Sequence, residues 1–250
     1  MELLAPYIPK FILILLRAGI SAAMLPFLGS GNIPAMFRIG LALGISMLLT
    51  PIVQIEVNME QAPILVLHEA VLGAALAGIT RALFYGIEMA GQLASTSMGL
   101  SIATVFNPEI GQSTEVSRLF GLIAILVFLA VDGHHDLIAI LAKSYEVLPP
   151  GATDIKAAAF FVITSGQHLL VFALTVSAPA VVMMLIVNLL LGFLAKAAPQ
   201  MNVFFVGYPV YIFAGFMVIL IGMPVFIHAL GAYSEGIRKA AMQLIQGVGR

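Results

Sequence analysis

The chain has no cysteine and no tryptophan among its 250 residues, and charged side chains make up only 9% of it. Without thiols it forms no disulfide and performs no thiolate chemistry, although that absence leaves its compartment open. The shortage of charge says more, because soluble globular domains carry about 25% charged residues. Eleven Lys and Arg stand against twelve Asp and Glu, for a formal net charge of −1. They form no basic stripe that could follow a phosphate backbone, so no nucleic acid is expected as a partner. What fills the chain instead is apolar: 61% of residues are hydrophobic and the mean hydropathy is +1.10. The class this implies is an integral membrane protein.

Six or seven apolar runs approach the roughly 20 residues that span a bilayer as helix. They are Ile8 to Leu28, Ile39 to Val53, Ile64 to Leu83, Tyr85 to Val105, Leu119 to Leu141, His168 to Leu194 and Val203 to Leu230. Breakers separate several of them: GSGNIP at 29 to 34, Pro149 with Pro150, and Pro199 followed by Gln200. The fold expected is all-α, with about six or seven hydrophobic helices or helical hairpins in a single membrane-embedded domain over residues 1 to 250. The short second run, the nearly continuous third and fourth, and Pro179 in the sixth predict that some segments are bent hairpins. The opening MELLAPYIPKFILILLRAGI has an acidic second residue rather than a basic start, and reads as a first membrane helix, not a cleaved signal. Basic residues favour an outward N-terminus: Arg38, Arg81, Lys143, Lys156, Arg238 and Lys239 then fall inside, with Lys196 and Arg118 on the wrong side.

Motifs for catalysis fail one by one. HEAVL at 68 to 72 has Leu72 where a zinc protease needs its second His. GLSIA at 99 to 103 lacks the closing Gly of a nucleophile elbow. AVDGHHDLI offers Asp132, His134, His135 and Asp136, but neighbours on a helix point about 100° apart and do not all converge on one ion. The plainer reading is that Asp132 and Gly133 break or cap the helix. No catalytic residue, metal site or cofactor is therefore expected. Glu69, Arg81, Glu88 and Arg17 lie within or beside apolar runs, where a charge is costly enough to face a partner or water. Charge pairing between packed helices is the favoured reading of these buried charges, with a proton path as the rival. Gly40 and Gly44, and Gly73, Ala77 and Gly78, allow close helix approach.

Three longer phrases carry a resemblance. GLSIATVFNPEIG, FLAVDGHHDLIAILAKSYEVLP at 128 to 149 and NLLLGFLAKAAPQMNVFFVGYPV at 188 to 210 resemble, in order, the FliR family, the R component of the flagellar export gate and its type III secretion counterparts. One departure is Lys196, where that family's phrase is expected to hold Arg; the charge is kept and the planar fork is lost. The resemblance implies one subunit of a larger helical hetero-oligomer with P and Q export-gate subunits and other export-apparatus membrane proteins. It implies a place in the bacterial inner membrane, in a flagellar basal body or an injectisome, and unfolded export substrates as the cargo. Subunit packing is expected at Gly133, Pro199, Gln200, Gly207 and Pro209.

The resemblance also casts the polar stretch between the fourth and fifth runs as a pore plug: Thr104, Val105, Phe106, Asn107, Pro108, Glu109, Ile110, Gly111, Gln112 and Ser113. Its residues suit that task. Phe106 brings apolar bulk, Asn107 and Pro108 stop a helix, and Gly111 to Thr114 are small and polar. Ser113 or Thr114 can cap a restarting helix with Glu115 in its first turn. The alternative from another class is a stand-alone proton-coupled transporter using Glu69, Glu88 and the His residues. No inverted repeat of the kind such carriers show is evident between the two halves.

Overall fold

Apolar residues propagate these helices, and Pro, Gly or Asp marks several of the breaks between them. The computed structural model describes residues 7–23, 34–53, 62–100 and 115–248, which hold seven α-helices and no strand. They are α1 (Tyr7–Ala23), α2 (Ala35–Ile52), α3 (Ala62–Ser97), α4 (Glu115–Ala130), α5 (Gly133–Val147), α6 (Ile155–Ala197) and α7 (Val203–Val248). Four of them, α2, α3, α6 and α7, are long and apolar enough to cross a bilayer, and α4 with α5 makes a fifth if the pair is one broken crossing. This is the all-α membrane protein expected from composition.

The apolar runs map onto these helices unevenly. The third and fourth runs merge into the 36-residue α3, because the charged and polar residues at their junction include no Pro. α3 ends at a glycine cap: Gly99 takes φ +73, Gly99 N–H donates to Thr96 O and Leu100 N–H to Ser95 O, both at 3.1 Å. That is the paired hydrogen bonding of a Schellman motif, which satisfies two of the helix's terminal carbonyls. The fifth run, Leu119 to Leu141, is by contrast two helices. Asp132 sits in the left-handed region at φ 58 and separates α4 from α5. Pro149, Pro150 and Gly151, the last at φ +89, follow α5 and end it. Asp154 then caps α6, its Oδ1 accepting from the N–H groups of Lys156 at 2.9 Å and Ala157 at 3.4 Å. The 43-residue α6 runs on through Pro179, and the 46-residue α7 through Pro209 and Pro224. Membrane helices tolerate such prolines where neighbours re-satisfy the freed carbonyls.

The described residues fall into two compact units. Met1–Leu83, Asp132–Gln167 and Ser234–Arg250 contribute to the first, Phe84–Val131 and His168–Tyr233 to the second. The core of the first joins Ile14 and Ala18 of α1, Leu49 of α2, Leu72, Leu76 and Ile79 of α3, Leu141 and Tyr145 of α5, and Leu244 and Ile245 of α7. Leu72, Leu76 and Ile79 recur at i, i+4 and i+7, one face of a helix. In the second unit α3 and α4 touch backbone to backbone: a Cβ on Gly91 would lie 2.6 Å from Ser117 Cα. Ser117 Oγ donates to the Glu88 carbonyl at 2.9 Å at the same crossing. Phe120 stacks on Phe226 of α7 with ring centroids 4.6 Å apart, and Met98 fills the notch that Gly215 leaves in α7.

Candidate functional site: a buried charge clamp

Two charged residues of the first unit meet at one point in its core. Arg17 of α1 and Glu69 of α3 are both fully buried, and they meet in a two-pronged ion pair. Arg17 Nε donates to Glu69 Oε2 at 2.7 Å and Nη2 to Oε1 at 2.6 Å. Nη2 also donates to the Leu148 carbonyl and Nη1 to Ser144 Oγ, each at 3.0 Å. Four hydrogen bonds thus occupy every nitrogen of the guanidinium, whose planar fork matches a carboxylate in a way an ammonium does not.

Its surroundings explain why this pair forms. Gly73 lies one helical turn beyond Glu69, and a Cβ there would come within 3.1 Å of the Arg17 carbonyl oxygen. A larger residue at 73 would hold α1 off α3 and open the pair. The Tyr145 ring packs against the guanidinium, with Arg17 Cζ 4.2 Å from its centroid, a cation–π contact. Tyr145 donates its hydroxyl to the Ile14 carbonyl at 3.0 Å. Leu148 is the C-cap of α5, so its carbonyl would have no helical donor; Arg17 supplies one. The cluster therefore ties α1, α3 and the end of α5 together through charge, in a region otherwise lined by apolar side chains. Both carboxylate oxygens of Glu69 are engaged by the Arg17 guanidinium.

The other charges singled out in the sequence lie elsewhere. Arg81 is half-buried, and Glu88 is exposed on the surface of the chain rather than buried, on the part of α3 that belongs to the second unit. α3 is long enough that its acids emerge on different faces: Glu69 and Glu88 are 19 positions apart, and helical phase alone does not return both to one core. Of the residues expected to pack against subunits, Gly133 and Gly207 are buried within the chain itself, while Pro199, Gln200 and Pro209 are exposed. A Cβ on Gly207 would come within 3.1 Å of Leu191 Cδ1. The proposed plug residues, Thr104, Val105, Phe106, Asn107, Pro108, Glu109, Ile110, Gly111, Gln112 and Ser113, lie outside the described residues. Ser144, Tyr145 and Leu148 are the members of the clamp that sequence reasoning missed. They stand 127 to 131 positions from their partners on α1. Their only trace was a Ser and a Tyr near the end of an apolar helix.

The break at Asp132 has its own geometry. His135 Nδ1 lies 3.2 Å from Asp132 Oδ1, the His134 and His135 rings are 4.1 Å apart, and Arg238 Nε lies 3.8 Å from Asp136 Oδ2. Helical spacing keeps side chains apart only within one helix. Asp132 stands outside α5.

Comparison with known proteins shows which family these helices belong to. The pattern of bacterial export proteins, family 1, matches residues 8–236. The flagellar biosynthetic protein FliR of Bacillus subtilis is 30% identical over 227 residues, 87% of each chain. The chain belongs to the FliR family of bacterial export proteins. Another FliR, from Pectobacterium carotovorum, is 32% identical over 191 residues, 73% of each chain. The secretion system apparatus protein SsaT of Salmonella typhimurium is 28% identical over 215 residues, 82% of this chain and 83% of its own. Arg17, Glu69, Ser144, Tyr145 and Leu148 all lie inside the stretch that the FliR family pattern covers.

Proposed function

We propose that this chain is a core subunit of the type III (flagellar) protein export gate in the bacterial inner membrane. It forms part of the channel through which unfolded export substrates cross, packed against P and Q export-gate subunits, with Thr104 to Ser113 as the plug that helps close it. The chain acts by shape and has no catalytic role.

One observation carries the reading beyond family membership. Exposed large apolar side chains on α6 run from Phe160 to Phe193. At 1.5 Å per residue that is a contour of about 50 Å, against a hydrocarbon layer of about 30 Å. A tilt of about 40°, the upper end for membrane helices, stretches one crossing only to about 39 Å. In an assembly, protein neighbours would cover the apolar surface that a single straight crossing leaves outside the lipid. Glu69, the acid best placed for a proton-coupled carrier, is already held by Arg17.

Co-purification tests the assignment. A tagged chain, expressed with its native neighbours and extracted in mild detergent, is expected to run as a multi-subunit complex containing other export-apparatus membrane proteins. A stable monomer or small homo-oligomer that transports a solute with protons would overturn it.

A further inference from the structure

We propose that Asp132, His134 and His135 form a binding site for a divalent transition metal ion at the break between α4 and α5. One donor atom from each of the three lies within 4.8 Å of the others. Helical spacing alone forbids this, since three neighbours on one helix splay around its axis. The backbone makes it possible. Asp132 adopts φ 58, outside α5, so its carboxylate folds back over the first turn where His134 and His135 sit.

The local chemistry favours an ion. His135 Nδ1 and Asp132 Oδ1 are 3.2 Å apart, close to the edge of about 3.3 Å that two ligands about 2.0 Å from a tetrahedral ion span. His134 Nδ1 is shut off from solvent and has no hydrogen-bond partner, an unsatisfied state that ligation of this ring would relieve once the imidazole turns by a rotamer adjustment. The Asp132 carboxylate offsets the positive end of α5, and the Asp136 carboxylate offsets the Arg238 guanidinium 3.8 Å away. Two imidazoles and one carboxylate suit zinc, cobalt, nickel or ferrous iron, and suit magnesium and calcium poorly, since those ions prefer all-oxygen shells. Water would complete the shell, as Asp132 and His135 are exposed. An ion held here would pin the left-handed turn that ends one helix and starts the next.

The test uses the full chain in detergent, carrying a tag without histidine, and cobalt(II) alone as the probe. Saturable binding of one equivalent per chain is expected, with the visible absorption of cobalt in a nitrogen and oxygen shell. Asp132→Asn, His134→Ala and His135→Ala are each expected to weaken it by about tenfold or more, since loss of even an outer-shell partner costs about that much. Asp132→Asn is the decisive variant, because Asn tolerates the left-handed backbone and leaves the turn intact. His228→Ala, on a histidine remote in sequence, is expected to bind as the parent does. Cobalt should also raise the melting temperature of the parent and not of Asp132→Asn. Absence of one-equivalent binding, parent-like binding by Asp132→Asn, or equal loss in His228→Ala would each overturn the proposal.

Discussion

Replacing Glu69 by Gln strands the Arg17 guanidinium in the core of the first unit. The amide keeps the shape of the carboxylate and one acceptor oxygen, so the change removes charge and one charge-assisted hydrogen bond while leaving the packing as it is. Arg17 and Glu69 are both without solvent exposure, at 0% each. Breaking such a pair from one side costs about 3 to 5 kcal/mol, because the remaining ion loses its partner in a low-dielectric setting. At about 1.4 kcal/mol per tenfold, the unfolded-to-folded ratio rises between about a hundredfold and a few thousandfold. Arg17→Met is expected to fall in the same range, since it leaves the Glu69 carboxylate alone and the Leu148 carbonyl without a donor. The double variant Arg17→Met, Glu69→Leu separates pairing from mere disruption. It buries no charge and strands only the Leu148 carbonyl, worth about 1 to 3 kcal/mol, so it should be more stable than either single change and strongly non-additive. Unfolding in mild detergent by added dodecyl sulfate, followed by circular dichroism, reads the cycle of parent, Arg17→Met, Glu69→Leu and the double variant, with Glu69→Gln beside it. Glu69→Gln unfolding with the parent, or a double variant as weak as the sum of the singles, would rule out a stabilising pair. A Glu69→Gln protein of full stability, whose export no longer responds to an imposed pH gradient, would instead make Glu69 a proton carrier.

Two further outcomes follow from the geometry and the proposed role. Gly91→Ala places a methyl group 2.6 Å from Ser117 Cα, where only backbone can yield; overpacking of that kind costs about 1 to 3 kcal/mol, and the variant should show a lowered denaturation midpoint while Gly121→Ala, which meets nothing within 4 Å, does not. Deleting residues 104 to 113 from a fully assembled gate should leave complex yield unchanged and make the membrane permeable to small solutes; unaltered ion permeability, measured by solute flux into vesicles, would remove the plug from the proposal.

The sequence by itself determined the class of the molecule. Sixty-one per cent apolar residues with 9% charged leave helices as the way to hide backbone polar groups in lipid, short of a closed barrel, and the runs lack a barrel's alternation. It also marked the punctuation: Pro149 and Pro150 after α5 and the stop before α7 are legible because proline and glycine act locally, through φ and a missing donor. The break at Asp132 and Gly133 was legible for the same reason. Three ordered phrases were enough for the family, since a resemblance needs only residues and their order. What only the tertiary structure decided is which charge meets which. Arg17 and Glu69 are 52 positions apart, and Ser144 and Leu148 are 127 and 131 from Arg17. No local pattern says that α1, α3 and the end of α5 share one core, or that Glu88, as apolar in its sequence setting as Glu69, stays at the surface. A helix carries its side chains by a fixed period, but which face is buried depends on what packs against it. The same holds at Asp132, where one left-handed residue, allowed by the backbone and set by its surroundings, brings together side chains that helical spacing alone keeps apart.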